Sequence, residues 1–199
     1  LGWGLGGMVV HLFRRRLEPT MELAAGAALL YGLSLPVSLW LLVQFPFDIS
    51  RLPLYFIVPL VPFLLAGITL SVVFDLNRER AGGLYFVDLL GASLGALVVT
   101  MLLQAFGGEA TVLIASAAAL AAAACFSVKW RTWAVVAVLP VAGLAMVNEQ
   151  AGLLRVTPGT IKAMRKDMDR FPQAKVAQDG WNAYSRITAV EGVAGLARL

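Results

Sequence analysis

Between Met21 and Val147 the chain is a series of long apolar runs, with charged residues confined to a few sites between them. This spacing constrains the fold more than any motif does. Backbone exposed to lipid must satisfy its own N–H and C=O groups, so such runs fold as helices or as a closed barrel. The period-two alternation that a barrel requires is absent. Apolar residues make up 59% of the chain and charged ones 14%, with a mean hydropathy of +0.79. A soluble domain carries about 45–50% and about 25% respectively. A core of 199 residues cannot hide so much apolar surface from water.

The runs divide into six segments: residues 1–13, 21–44, 54–74, 84–106, 110–128 and 133–147. At about 1.5 Å per residue, the fourth covers about 34 Å, enough for about 30 Å of hydrocarbon. The sixth is short and interrupted by Pro140. The expected fold is an all-α polytopic membrane helix bundle over residues 1–147, followed by a short α+β soluble tail over 148–199. In that tail, Thr160 to Phe171 reads as a linker helix with a mixed-charge face. A strand follows from Tyr184 to Glu191, and a second begins at Leu196, as a β-hairpin would. The chain opens at Leu1 inside an apolar run and stops within strand-like sequence, which reads as a piece of a longer protein.

Basic residues fall in alternate loops. Arg14-Arg15-Arg16, then Arg78 and Arg80, then Lys129 and Arg131 should face the cytoplasm, while the opposite loops hold only Arg51. The expected location is the bacterial inner (plasma) membrane, with several crossings and the lipid bilayer as partner. One consequence is awkward. If the sixth segment spans, the tail emerges on the outer side, although it carries eight of the 16 basic residues. The sixth segment is then either re-entrant or interfacial, or the tail is external. Trp40, Tyr55, Trp130 and Trp133 lie near segment ends, as an aromatic belt places them.

Helix contacts in lipid depend on small residues that let backbones approach. Gly91 and Gly95, with Ala92 and Ala96 beside them, form one such face, and Ala115, Ala119 and Ala123 a second. The glycines of Gly2-Trp3-Gly4-Leu5-Gly6-Gly7 fit the dinucleotide spacing G-x-G-x-x-G, but they lead into an apolar stretch without a preceding strand. Helix packing is the reading preferred for them.

Two acids are candidate binding residues. Asp88, one turn into the fourth segment, reads either as an anchor paired with Arg78 or Arg80, or as a polar ligand or relay site. Glu22, at the start of the second segment, has the same two readings. His11 is the single histidine and has no metal-ligand spacing around it, so no metal and no Ser/His/Asp set is expected. Cys125 reads as a buried small hydrophobe in an Ala-rich run. Around Lys162 to Lys175 the basic residues alternate with Asp167 and Asp169, which suits a solvated helix and argues against nucleic acid. Trp181-Asn182-Ala183-Tyr184-Ser185-Arg186 is the most distinctive soluble string, an aromatic anchor where a strand begins. No catalytic residue is assigned.

GLGGMVVHLFRRRLEPTMELAAGAALLYGLSLP resembles the second and third helices of membrane-embedded proteins similar to spermidine synthase, and YFVDLLGASLGALVVTMLLQAFGG resembles a later helix of that family. WNAYSRITAVEG resembles the segment leading into its soluble domain, and the three occur in the family's order. The resemblance implies a membrane domain fused to a Rossmann-like domain beyond Leu199. Such a domain would move an aminopropyl group from decarboxylated S-adenosylmethionine to putrescine, in polyamine biosynthesis. On this reading the residues present hold no cofactor, the fragment is non-catalytic, and its partner is its own C-terminal domain. Basic loops and glycine-rich helix faces suit two other readings as well: half of a secondary transporter, and a membrane scaffold without ligand.

Overall fold

A computed structural model of the chain describes residues 1–16, 18–156, 168, 170–182 and 185–192. The elements described in full are α1 (Gly2–Leu12), α2 (Met21–Gln44), α3 (Leu52–Leu76), α4 (Ala81–Phe126) and α5 (Val128–Ala151), then the antiparallel strands β1 (Lys175–Trp181) and β2 (Arg186–Glu191). Short 3₁₀ turns at Ile49–Arg51 and Arg78–Arg80 lead into α3 and α4. Among the described residues, four helical stretches are long and apolar enough to cross a membrane: Met21–Gln44, Ile49–Leu76, Arg78–Phe126 and Val128–Asn148. α1, with 11 residues, is too short for that.

Local chemistry sets the boundaries. Thr20 is extended, and its Oγ1 accepts from the Leu23 N–H at 3.1 Å, satisfying a first-turn donor of α2. Asp48 does the same for the turn before α3, with Oδ1 accepting from the Ser50 N–H at 2.9 Å. Tyr55 donates its hydroxyl to the Phe45 carbonyl at 2.6 Å, pinning the end of α2 to the start of α3. α5 ends at Gly152, whose φ of +62° is left-handed and whose N–H returns to the Asn148 carbonyl at 2.8 Å.

α4 is two limbs. Gly107 has φ +81° and ψ 174°, a backbone region that essentially only glycine occupies, and it separates residues 81–106 from 108–126. The expected link at Gly107-Gly108-Glu109 is therefore present as a kink. The sixth segment differs from expectation. α5 is one continuous helix of 24 residues with Pro140 inside it, about 36 Å at 1.5 Å per residue, and is not a broken or shortened element. A proline deprives a helix of only one N–H, a loss that packed membrane helices tolerate.

The helices pack in a chain of neighbours: α1 on α3, α3 on α2, α2 on α4, α4 on α5. Close backbone approach explains the first and third contacts. A Cβ on Gly2 would lie 2.5 Å from the Phe63 Cβ, and one on Gly6 would strike the Leu64 carbonyl. Gly67 likewise faces the Trp3 backbone. Gly2, Gly6 and Gly7 of the glycine-rich stretch thus face α3, while Gly4 has no atom within 4 Å of a Cβ built on it. Between α2 and α4, Gly32 admits Leu120, and the fully buried Ser116 donates its Oγ to the Gly32 carbonyl at 2.6 Å. The central core is Ala28, Leu29, Leu113, Leu120, Ala123, Ala134 and Val141.

The first limb of α4 stands apart. All the buried residues of α4 lie in the second limb, and Gly91 and Gly95 have no atom within 4 Å of a Cβ built on them. The partner helix expected for that face is not among the described residues. In the second limb Ala119 is buried but Ala115 is exposed, because the contact face runs through Ser116, Ala119 and Ala123. Cys125 is exposed rather than buried, since it falls on the side of the helix away from α2 and α5.

The tail also departs from expectation. The strand expected over 184–191 is present as β2, over Arg186–Glu191, and it pairs with β1, a strand upstream of it that was not expected. Asp179 pairs with Thr188 and Trp181 with Arg186, so these four side chains share one face. A bulge lies between Val176 and Gln178. Thr160 to Phe171 lies mostly, and Leu196 wholly, outside the described residues.

Candidate functional site: the hairpin clasp at the α4 kink

The kink of α4, the end of α5 and the inward face of the hairpin meet at one place. Trp181 lies over the two glycines of the kink. A Cβ on Gly107 would sit 3.0 Å from its Cδ1, and a Cβ on Gly108 2.6 Å from its Cη2. Only a residue pair without side chains lets the indole come so near.

Glu109 begins the second limb and is buried. Its carboxylate accepts from the Val156 N–H at 3.0 Å, which fixes the segment leaving α5. Asn148 assists from within α5, its Oδ1 accepting from the Leu154 N–H at 2.5 Å. Arg186 then closes the arrangement. Its Nη1 donates to the Val156 carbonyl at 2.6 Å and stands 3.5 Å from Glu109 Oε1. Its Nε and Nη2 form a fork on Asp179, at 2.9 and 2.5 Å. Thr188 donates to Asp179 Oδ1 at 2.8 Å, and Arg155 also pairs with Asp179.

Asp179 thus accepts from three side chains. The Arg186 fork holds its carboxyl well below the usual carboxylate range, against the opposing effect of burial, and Arg155 and Thr188 add to the depression. Arg186 is raised above its ordinary value, chiefly by its hydrogen bonds to Asp179. Planar bidentate pairing suits an arginine at this position, and lysine could not reproduce it.

A cavity of about 440 Å³ opens beside the clasp. Ile114, Ala145 and Met146 line its helical end, and Arg155, Asp179 and Trp181 its hairpin end. Among the described residues no group of three His, Cys, Asp or Glu side chains is placed to hold a metal ion.

The residues singled out in the sequence lie elsewhere. Glu22 pairs with Lys129 at 3.0 Å, both side chains being more than half exposed, and so ties the start of α2 to the start of α5. Asp88 does not pair with Arg78 or Arg80. Arg78 is taken by Asp75, which also meets Arg14 at 3.4 Å, and no partner of Asp88 occurs among the described residues. Gly91, Gly95, Ala115 and Ala119 are not part of the clasp. Glu109 and Asp179 were not singled out, and only proximity in space reveals them. The tryptophan and arginine of the 181–186 string do take part.

No family model, no curated protein and no solved structure matches this chain.

Proposed function

We propose that the chain is the multi-pass membrane domain of a larger protein, which uses the clasp to hold a soluble unit at a fixed position on one end of the bundle. The observation that carries this reading is the fork of Arg186 on Asp179, itself joined to Glu109 of the α4 kink. A two-stranded hairpin is marginal by itself. Here it is bonded to the bundle, while Val176 and Ile187 stay exposed at 46% and 59%. Those apolar residues suit a sheet that continues into a further layer.

The loops with Arg14, Asp75, Glu22 and Lys129 are joined in pairs at one end, and the clasp forms where the helices reach the other. With the basic loops in the cytoplasm, the hairpin lies on the outer side and α5 spans. The soluble unit that the resemblance suggests is spermidine-synthase-like, an aminopropyltransferase using decarboxylated S-adenosylmethionine and putrescine. The full-length protein, purified in detergent, would be assayed for that transfer. Product formation supports this identity, and its absence with a folded protein removes the catalytic part while leaving the anchoring role.

A transporter half is the second reading. What favours it is the uncovered limb 81–106, where Asp88 has no partner among the described residues and Gly91 and Gly95 are open to a neighbouring helix. It requires that Asp88→Asn alter uptake of a solute in intact cells.

A further inference from the structure

We propose that the cavity beside the clasp binds a membrane phospholipid, with the headgroup phosphate on Arg155 and an acyl chain against Ile114, Ala145 and Met146. The argument starts from the polarity of the walls. Ile114 and Met146 lie within the stretches long and apolar enough to cross a membrane, and the cavity meets both. The polar part of its wall comes from Arg155, Asp179 and Arg186, joined by Glu109 and Asn148 from the ends of the helices. A site that is apolar at bilayer depth and charged at the water boundary matches an amphiphile. A wholly polar metabolite would leave the Ile114 end unfilled. The volume, about 440 Å³, is in the range of small-molecule sites, about 300–1,000 Å³, and admits a headgroup with the upper part of one chain.

Open N–H donors select the phosphate. The two arginines differ in what remains to them. Arg186 spends Nε, Nη1 and Nη2 on Asp179 and Val156 and is 20% exposed. Arg155 gives only Nη2, to Asp179, and its side chain is 60% exposed. An arginine has five N–H donors, so the guanidinium of Arg155 keeps open edges for a phosphate. Asp179 orients that guanidinium, and with Glu109 beside Arg186 the two acids balance the two arginines, so what Arg155 offers a phosphate is its unused N–H donors and not a net positive charge.

The proposal rests on the membrane reading of α4 and α5, so the first control is retention of the protein in the membrane after an alkaline carbonate wash. Release into the wash would refute the membrane reading itself. The test is native mass spectrometry of the detergent-purified chain, with defined phosphatidylglycerol or phosphatidylethanolamine added back. The wild type should hold one phospholipid. Arg155→Gln should weaken it about tenfold, as loss of a charge-assisted contact does, and Ile114→Trp should exclude it by filling the apolar end. Protection of Lys175 from trypsin shows that the hairpin is still docked. If Arg155→Gln releases the hairpin, Ile114→Trp and Ala145→Leu decide alone. Lipid retained by both docked variants would overturn the proposal. So would displacement by millimolar inorganic phosphate with Ile114→Trp silent, because the ligand would then be a free phosphate compound.

Discussion

Trp181 of β1 and Gly108 of α4 are 73 positions apart in sequence, yet the indole lies so near that a Cβ on Gly108 would be 2.6 Å from its Cη2. This contact joins the soluble hairpin to the point where the membrane helix bends. Removing either member should free the hairpin without melting the bundle. Trp181→Ala should cost on the order of 2 kcal/mol at a half-buried site. That corresponds to roughly 30-fold more of the open form. Gly108→Leu should have a similar effect by collision. Trypsin cleavage at Lys175, followed over time, reads the opening, and unchanged protection in both variants would count against the contact.

The kink should depend on Gly107 for a different reason. Its φ of +81° and ψ of 174° exclude a Cβ, so Gly107→Ala should cost about 1–3 kcal/mol. The measurement is the thermal midpoint in detergent, compared with that of Gly82→Ala, where nothing lies within 4 Å and φ is ordinary.

Acid should loosen the clasp. The folded-state pKa of Asp179 is depressed, so its contribution is complete above the unfolded carboxylate value, about 3.9, and is lost as pH falls from there toward the depressed value. Between neutrality and about pH 5 the Asp179 clasp should hold, and below about pH 4 trypsin-like opening should rise, read with an acid-active protease. Asp179→Asn should bring that opening to neutral pH, since it breaks the fork from Arg186.

Glycine substitutions should sort by contact. Gly6→Leu places a branched side chain into the α3 backbone and should sharply lower the yield of folded protein, whereas at Gly91 a built Cβ has no atom within 4 Å among the described residues and Gly91→Leu should be tolerated. An equal loss from both would mean that limb 81–106 has a partner helix. Glu22→Gln, in an exposed pair with Lys129, should change stability by less than about 1 kcal/mol.

The helices were legible in the sequence because hydrophobic length is a local property. Met21–Gln44 was found to the residue, and the Gly107-Gly108 break between two apolar runs was readable. Pro140 misled, because sequence shows the lost donor but not the neighbours that make the loss tolerable. The packing glycines were harder. Gly2 and Gly6 meet partners while Gly91 and Gly95 do not, although both pairs are four residues apart. Spacing marks a smooth face and leaves open which helix will cover it. The clasp was least visible. Trp181 and Arg186 stood out as a string, but Glu109 fell in the gap between two apolar runs, and Asp179 carried no signal of its own. Their roles come from the hairpin register and the α5 exit, which are tertiary facts.

The measurement that tests the account most directly is the sidedness of the hairpin. Single cysteines at Asn77 and Gln178, in a Cys125→Ala background, would be exposed to an impermeant maleimide in intact cells and after permeabilisation. A hairpin at the end opposite the basic loops predicts labelling of Gln178→Cys in intact cells and of Asn77→Cys only after permeabilisation. Labelling of both positions in intact cells, or of neither until permeabilisation, would place them on one side, and α5 would then not cross the membrane.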